Sequence, residues 1–119
     1  VRTVEAAMQY ALIIYEEPGY LDALPQEERE AAYAEYRALA EDPRYAGGAQ
    51  LQPVETATGV RVSGGRTLVT DGPFADTKEV LGGFCLVEAA DLDEAIELAA
   101  RVPAARLGGV VEIRPVGRL

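Results

Sequence analysis

The sequence predicts one α+β domain, and three observations carry that reading. Two segments show apolar residues at helical spacing, several short runs around them have strand character, and Gly, Pro and Asp punctuate the junctions. The resulting order is strand, helix, strand and hairpin, strand, helix, strand. A chain of 119 residues suits a single domain and buries roughly two thirds of its unfolded surface, enough for a true core.

Residues 9–15 read as the first strand, with Tyr10, Leu12 and Ile14 on one face and Ala11, Ile13 and Tyr15 on the other. Both faces are apolar, which places it centrally in a sheet. Glu16-Glu17-Pro18-Gly19 breaks the strand. Pro25, suited to a first helical position, introduces a helix over 26–41 with acids in its opening turn and an inward stripe of Ala32, Tyr36 and Leu39. Asp42-Pro43 ends it, because the residue before proline disfavours helical geometry. A short strand is expected over 47–52, then a hairpin of 58–62 and 66–70 around Ser63-Gly64-Gly65.

Residues 80–87 form another strand that is apolar on both sides, with Phe84 and Leu86 on one face and Cys85 and Val87 on the other. Asp91 with Glu94 resembles a capping box, and Leu92, Ala95, Ile96, Ala99 and Val102 line one face of the second helix. Residues 109–116 close the chain, with Val111 and Ile113 on one face and Glu112 and Arg114 on the other. Right-handed βαβ crossovers put both helices on one side of the sheet. The opposite side, apolar on two strands, needs a cover, and a second copy of the sheet is the simplest one. Leu12, Ile14, Phe84 and Leu86 are the expected contributors, although strand parity alone leaves open which set of each strand faces the helices.

The chain carries 20 acidic against 11 basic residues, a net charge of −9, which opposes direct binding to nucleic acid. The longest apolar runs fall far short of the roughly 20 residues that span a bilayer, so no membrane helix is expected. Cys85 is the single cysteine and is read as packing within its strand, and no disulfide can form within the chain. There is no histidine, which excludes Ser-His-Asp and Cys-His machinery and His-based metal sites. Acid–base chemistry then falls to Asp, Glu, Lys, Tyr or Cys with shifted pKa values. Glu27, Glu28 and Glu30 read as a solvated helix face without EF-hand spacing. Neither a metal nor a cofactor is implied.

The most distinctive string is Asp71-Gly72-Pro73-Phe74-Ala75-Asp76-Thr77-Lys78-Glu79, set between two strands. Together with Leu81-Gly82-Gly83-Phe84, Asp91-Leu92-Asp93-Glu94-Ala95 and Val111-Glu112-Ile113-Arg114-Pro115, and a softer match over 8–15, it resembles the DGPF-motif proteins, relatives of the YCII-like family. The resemblance implies a ferredoxin-like βαββαβ domain over 8–119, here with an additional β-hairpin, that pairs into a dimeric α+β barrel. Relatives are suspected to use a histidine paired with an aspartate, and this chain can supply only the aspartate. Some relatives occur beside or fused to sigma factors, which implies a regulatory alternative linked to sigma-factor-dependent transcription.

Asp71-Gly72-Pro73 reads either as a turn, with the carboxylate accepting backbone hydrogen bonds, or as a rigid mount for Asp71 as a general base at a pocket mouth. Phe74 then plugs the core or lines the cavity. Lys78, the only lysine, and Glu79 either anchor a substrate anion or form a surface ion pair. Glu112 and Arg114 either face water or a partner from an edge strand, or form an anion site in which Arg114 offers its planar fork to a carboxylate. Tyr10, or Tyr15 if the strand faces are reversed, can add a phenolic hydrogen bond there. Gly82-Gly83 lacks phosphate-loop spacing and reads as a bulge or close backbone contact.

The reading that combines these is a homodimer binding a small anionic or aromatic molecule beside the motif loop. It is either a cofactor-independent lyase, isomerase or hydrolase with Asp71 as base and Arg114 as clamp, or a non-catalytic binding or regulatory module. Residues 1–7 carry no apolar periodicity and no signal-peptide pattern, so they are expected to be an extension of a cytoplasmic protein. Removing residues 1–7 is expected to change unfolding stability by less than about 2 kcal/mol, measured by chemical denaturation of the shortened chain.

Overall fold

The structure, a computed structural model, describes residues 8–75 and 77–117, and the expected extension at 1–7 lies outside the described residues. In chain order the elements are β1 (Met8–Glu16), α1 (Gln26–Ala40), β2 (Tyr45–Gln50), β3 (Thr58–Ser63), β4 (Arg66–Asp71), β5 (Val80–Ala89), α2 (Leu92–Ala100) and β6 (Val110–Pro115). The fold is α+β and consistent with a ferredoxin-like domain. Four strands form one antiparallel sheet in the order β2-β5-β1-β6, and β3 pairs only with β4 in a separate hairpin. As their doubly apolar patterns require, β1 and β5 are the two central strands.

The register decides which residues share a face. Leu12 opposes Cys85 and Tyr10 opposes Val87, whereas Ile13 opposes Phe84 and Ala11 opposes Leu86. The first set is buried. Tyr10, Leu12, Ile14, Cys85, Val87 and Ala89 pack with Leu39 of α1 and with Ala95, Leu98, Ala99 and Val102 of the α2 region into one core. Leu12 and Ile14 therefore lie under the helices and contribute nothing to the open face, where Ala11, Ile13 and Tyr15 stand instead. On β6, Val111 and Ile113 join the core edge, leaving Glu112 and Arg114 on the open side.

The expected inward residues Ala95, Ala99 and Val102 of the α2 region are buried, but the face departs from expectation at two positions. Leu92 and Ile96 are exposed, while Leu98 is fully buried and takes the place expected of them. The cap at Asp91 forms as its sequence suggests, with Oδ1 accepting from the Glu94 N–H at 2.9 Å. The Glu94 carboxylate, however, turns to Arg44 at 3.5 Å.

The β3–β4 hairpin extends away from this core. Nearly all of its residues are exposed, and the radius of gyration of 16.7 Å exceeds the roughly 13–14 Å of a compact chain of this length. Among the described residues no helix is long and apolar enough to cross a membrane.

One polar cluster ties the helical layer together. Asp42, just past α1, accepts from Arg44 Nε and Nη2 and from Arg101 Nη1, each at 2.9 Å, joining the α1–β2 corner to the end of α2. The Arg44 side-chain bonds come first in holding the Asp42 carboxyl well below the usual carboxylate range, followed by the Arg44 backbone N–H. A depressed carboxyl stabilises the fold above its unfolded pKa near 4, and that contribution drains away as pH falls through the lower folded value. Asp42→Ala is expected to cost about 1–2 kcal/mol at pH 7 in urea unfolding, the partly exposed arginines limiting the size, and its deficit against the parent chain should shrink steadily below pH 4.

Candidate functional site

Strand β6 delivers two charges to the open face of the sheet. Arg114 lies opposite Ala11, Glu112 lies opposite Ile13, and Val110 lies opposite Tyr15. Phe84, at 41% exposure, and Leu86 continue the same face on β5. The surface is thus apolar across its middle and charged along the β6 edge. Neither Glu112 nor Arg114 joins an ion pair among the described residues. Tyr10 does not belong to this face. It is buried on the helix side, where its hydroxyl points to Met8 Sδ at 3.6 Å, so the tyrosine sharing the face of Glu112 and Arg114 is Tyr15.

The motif loop sits elsewhere. Asp71 ends β4 opposite Thr58, and Gly72 adopts φ 92° while its N–H donates to the Ala57 carbonyl at 2.8 Å, closing the base of the hairpin. Gly72 thus bends the chain at the end of the ladder, and no hydrogen bond to the Asp71 carboxylate is found among the described residues. Phe74 does not plug the core: it is 85% exposed, with only the Arg61 guanidinium 5.1 Å from its ring centre. The reason is topological, since the hairpin base projects beyond the sheet and holds no core for the ring to enter. Lys78 is exposed and Glu79 half-buried, and the Glu79 carbonyl accepts from Thr77 Oγ1 at 2.6 Å. No hydrogen bond or ion pair among the described residues links Asp71, Lys78 or Glu79 to Glu112 or Arg114. The residues marked out by the sequence therefore fall into three groups: core, open face and hairpin base.

A cavity of about 270 Å³ lies on the helix side, between α1 and the β1–β5–β2 part of the sheet. Its apolar walls come from Ile14, Leu39 and Cys85, and four of the six tyrosines in the chain line it: Tyr20, Tyr33, Tyr36 and Tyr45. At one end the Tyr20 and Tyr36 hydroxyls meet at 2.6 Å, and both residues line the cavity with Glu16. Burial raises the Glu16 pKa above its usual value, partly offset by Tyr20. Burial also raises Tyr20, reinforced by Tyr36, and pushes the Cys85 thiol up to about 11. A thiol so raised is protonated near neutrality, which agrees with a packing role for Cys85. An adjoining hollow of about 200 Å³ shares Glu16, Tyr20, Tyr33 and Gly82, and reaches Asp22, Glu55 and Val80.

Glycine shapes this cavity. The β1–β5 register slips between Ile14 and Tyr15, leaving Gly82 as the extra residue of a bulge, as its sequence setting suggests. A Cβ on Gly82 would overlap the Glu16 carboxylate, so the bare backbone there is what lets Glu16 lie across β5. Gly83 is equally tight, its Cβ position being 2.9 Å from the Ala49 carbonyl oxygen.

The YCII-related domain family matches residues 8–119. The chain belongs to the YCII-related family. It is also similar to an uncharacterized protein of Rhizobium meliloti, 38% identical over 114 residues that cover 92% of each chain.

This YCII-related chain has no histidine, so the titratable groups of its cavity are Glu16, the tyrosines and Cys85. Sequence reasoning took Glu16 only as part of a strand break and Tyr36 only as part of a helical stripe, and it passed over Tyr20. The available signal was composition: tyrosines cluster at 15, 20, 33, 36 and 45 around the first helix. Gly48 offers a test of how tightly the cavity wall is built. Its Cβ position is 2.5 Å from the Phe84 carbonyl oxygen and 2.8 Å from the Tyr45 hydroxyl, and the first of these is fixed by the sheet. Gly48→Ala is expected to lower thermal-unfolding stability by about 1–3 kcal/mol.

Proposed function

We propose that this YCII-related protein, read as a DGPF-type member, works as a homodimer that packs the open faces of two sheets and binds a small molecule between them. One observation carries the reading: an uncovered sheet face on which Ile13, Tyr15, Phe84 and Leu86 stand beside Glu112 and Arg114. Contiguous apolar surface of this kind marks an interaction site. The charges favour a second copy as the partner, because a two-fold axis lets Glu112 of each protomer meet Arg114 of the other. Where the two arginines are not fully paired, their guanidinium forks supply an anion site.

The hairpin supports the same assembly. An isolated two-stranded hairpin is marginal in water, yet β3–β4 exposes Val60, Val62, Val69 and Phe74 at 63% or more. A partner protomer gives those residues a surface. In the catalytic form of this reading Asp71 is the base and Arg114 the anion clamp, and the two act on one substrate where protomers meet. The exposure of Asp71 at the hairpin base favours a second reading, a binding or regulatory module without turnover.

Light scattering at micromolar concentration is expected to give twice the chain mass, and Leu86→Arg, on the open face, to give a folded chain of single mass. A soluble monomer of the parent chain would sink the proposal. Asp71→Asn separates the two readings once a ligand is in hand. Turnover lost by at least about a hundred-fold with binding and fold retained supports the base, whereas ligand-induced thermal stabilisation without turnover in the parent chain supports the module.

A further inference from the structure

The cavity beneath α1 has a charge pattern that the dimer reading does not use. Among its described lining residues Glu16 is the only carboxyl group, and no Lys or Arg is present. The adjoining hollow adds Asp22 and Glu55 and again no base. None of the ion pairs among the described residues involves Glu16. A half-buried carboxylate with no cation beside it is costly unless something compensates it. Tyr20 offsets only part of that cost, and its hydroxyl meets the Tyr36 hydroxyl at 2.6 Å.

We propose that this cavity binds a small organic cation, an ammonium group on an apolar body, with Glu16 as its counter-ion. The ammonium supplies both the positive charge and up to three donors, where a neutral alcohol supplies one donor and a carboxylate supplies repulsion. Tyrosine rings on the walls accept an apolar body, and their π faces tolerate a neighbouring cation. The volume suits a single ring with a short chain. The acidic hollow next to it, on a chain of net charge −9, draws cations toward the opening. This site lies within one protomer on the helix side of the sheet, so it stands independently of the proposed dimer.

Three probes with one ring and one charge series test the site on the full chain: phenethylammonium, 2-phenylethanol and phenylacetate. Calorimetry gives the affinities. The backbone amide resonances of Gly48, Gly82 and Gly83, which line the cavity, report occupancy without any substitution. Phenethylammonium is expected to bind saturably and shift these resonances, 2-phenylethanol to bind roughly ten-fold more weakly, and phenylacetate to leave them unmoved. In Glu16→Gln the ammonium should fall to the level of the alcohol while the alcohol is unchanged. Equal binding across the series, tightest binding of phenylacetate, cation binding that leaves the amide resonances of Gly48, Gly82 and Gly83 unmoved, or a charge preference that survives Glu16→Gln would each overturn the proposal. The charge series on the parent chain decides the matter even if the variant fails to fold. A monomeric mass would count against the dimer and leave this result untouched.

Discussion

The pairing of β1 with β5, two strands apolar on both faces, is the constraint on which the rest of the structure depends. A strand of that kind cannot sit at an edge or face water on one side without exposing a row of large side chains. Placing the two side by side at the centre of the sheet buries Leu12, Cys85 and Val87 beneath the helices in one stroke. The same pairing fixes Ile13, Tyr15, Phe84 and Leu86 on the other side, because side chains alternate strictly along a strand. Everything outward of this pair follows: β2 and β6 become edges, and β6 brings Glu112 and Arg114 to the open face and not to the core.

The bulge at Gly82 interrupts that regularity where it matters for the cavity. Beyond it the register moves by one, so Tyr15 meets Leu81 and Glu16 meets Val80. Without the slip and the missing side chain, the Glu16 carboxylate would have no room where β1 leaves the sheet. Helix α1 then closes over the gap with Tyr36, whose hydroxyl finds Tyr20 from the segment joining β1 to α1. A polar cluster of Glu16, Tyr20 and Tyr36 thus lines the cavity beside the bulge. Such a bulge is a feature that positions side chains and does more than end a strand.

Which of these features the sequence could disclose depends on the range over which each is determined. The order of elements was legible, because Pro25, Asp42-Pro43, Gly64-Gly65 and Asp91 act through local backbone geometry. The central places of β1 and β5 were legible as well, from composition alone. Parity was not: whether Leu12 or Ile13 faces the helices depends on how the crossovers dock, and that exchanged Tyr10 for Tyr15 on the open face. The face of α2 was misjudged at two positions for a related reason, since Leu92, Ile96 and Leu98 are all plausible on an amphipathic face and only the sheet selects Leu98. Phe74 was misjudged because an aromatic beside a tight turn gives no sign of whether any core lies within reach. Glu16, Tyr20 and Tyr36 came together only through tertiary packing, and no local pattern announces a contact between a loop and a helix.

The two sides of the sheet therefore obey different electrostatic rules. On the open side acid and base stand two residues apart on one edge strand, a spacing that can satisfy itself by symmetry and keeps an arginine fork available where pairing is incomplete. In the cavity on the helix side Glu16 stands without a base among the lining residues, beside phenols that cannot neutralise it at ordinary pH. The ligands proposed for the two faces accordingly differ in charge. The absence of histidine sharpens the contrast, because neither face contains a side chain whose unperturbed titration would let it change sign between pH 6 and 8. Each side therefore presents fixed charge, and the backbone pairing of β1 with β5 keeps the two sides apart.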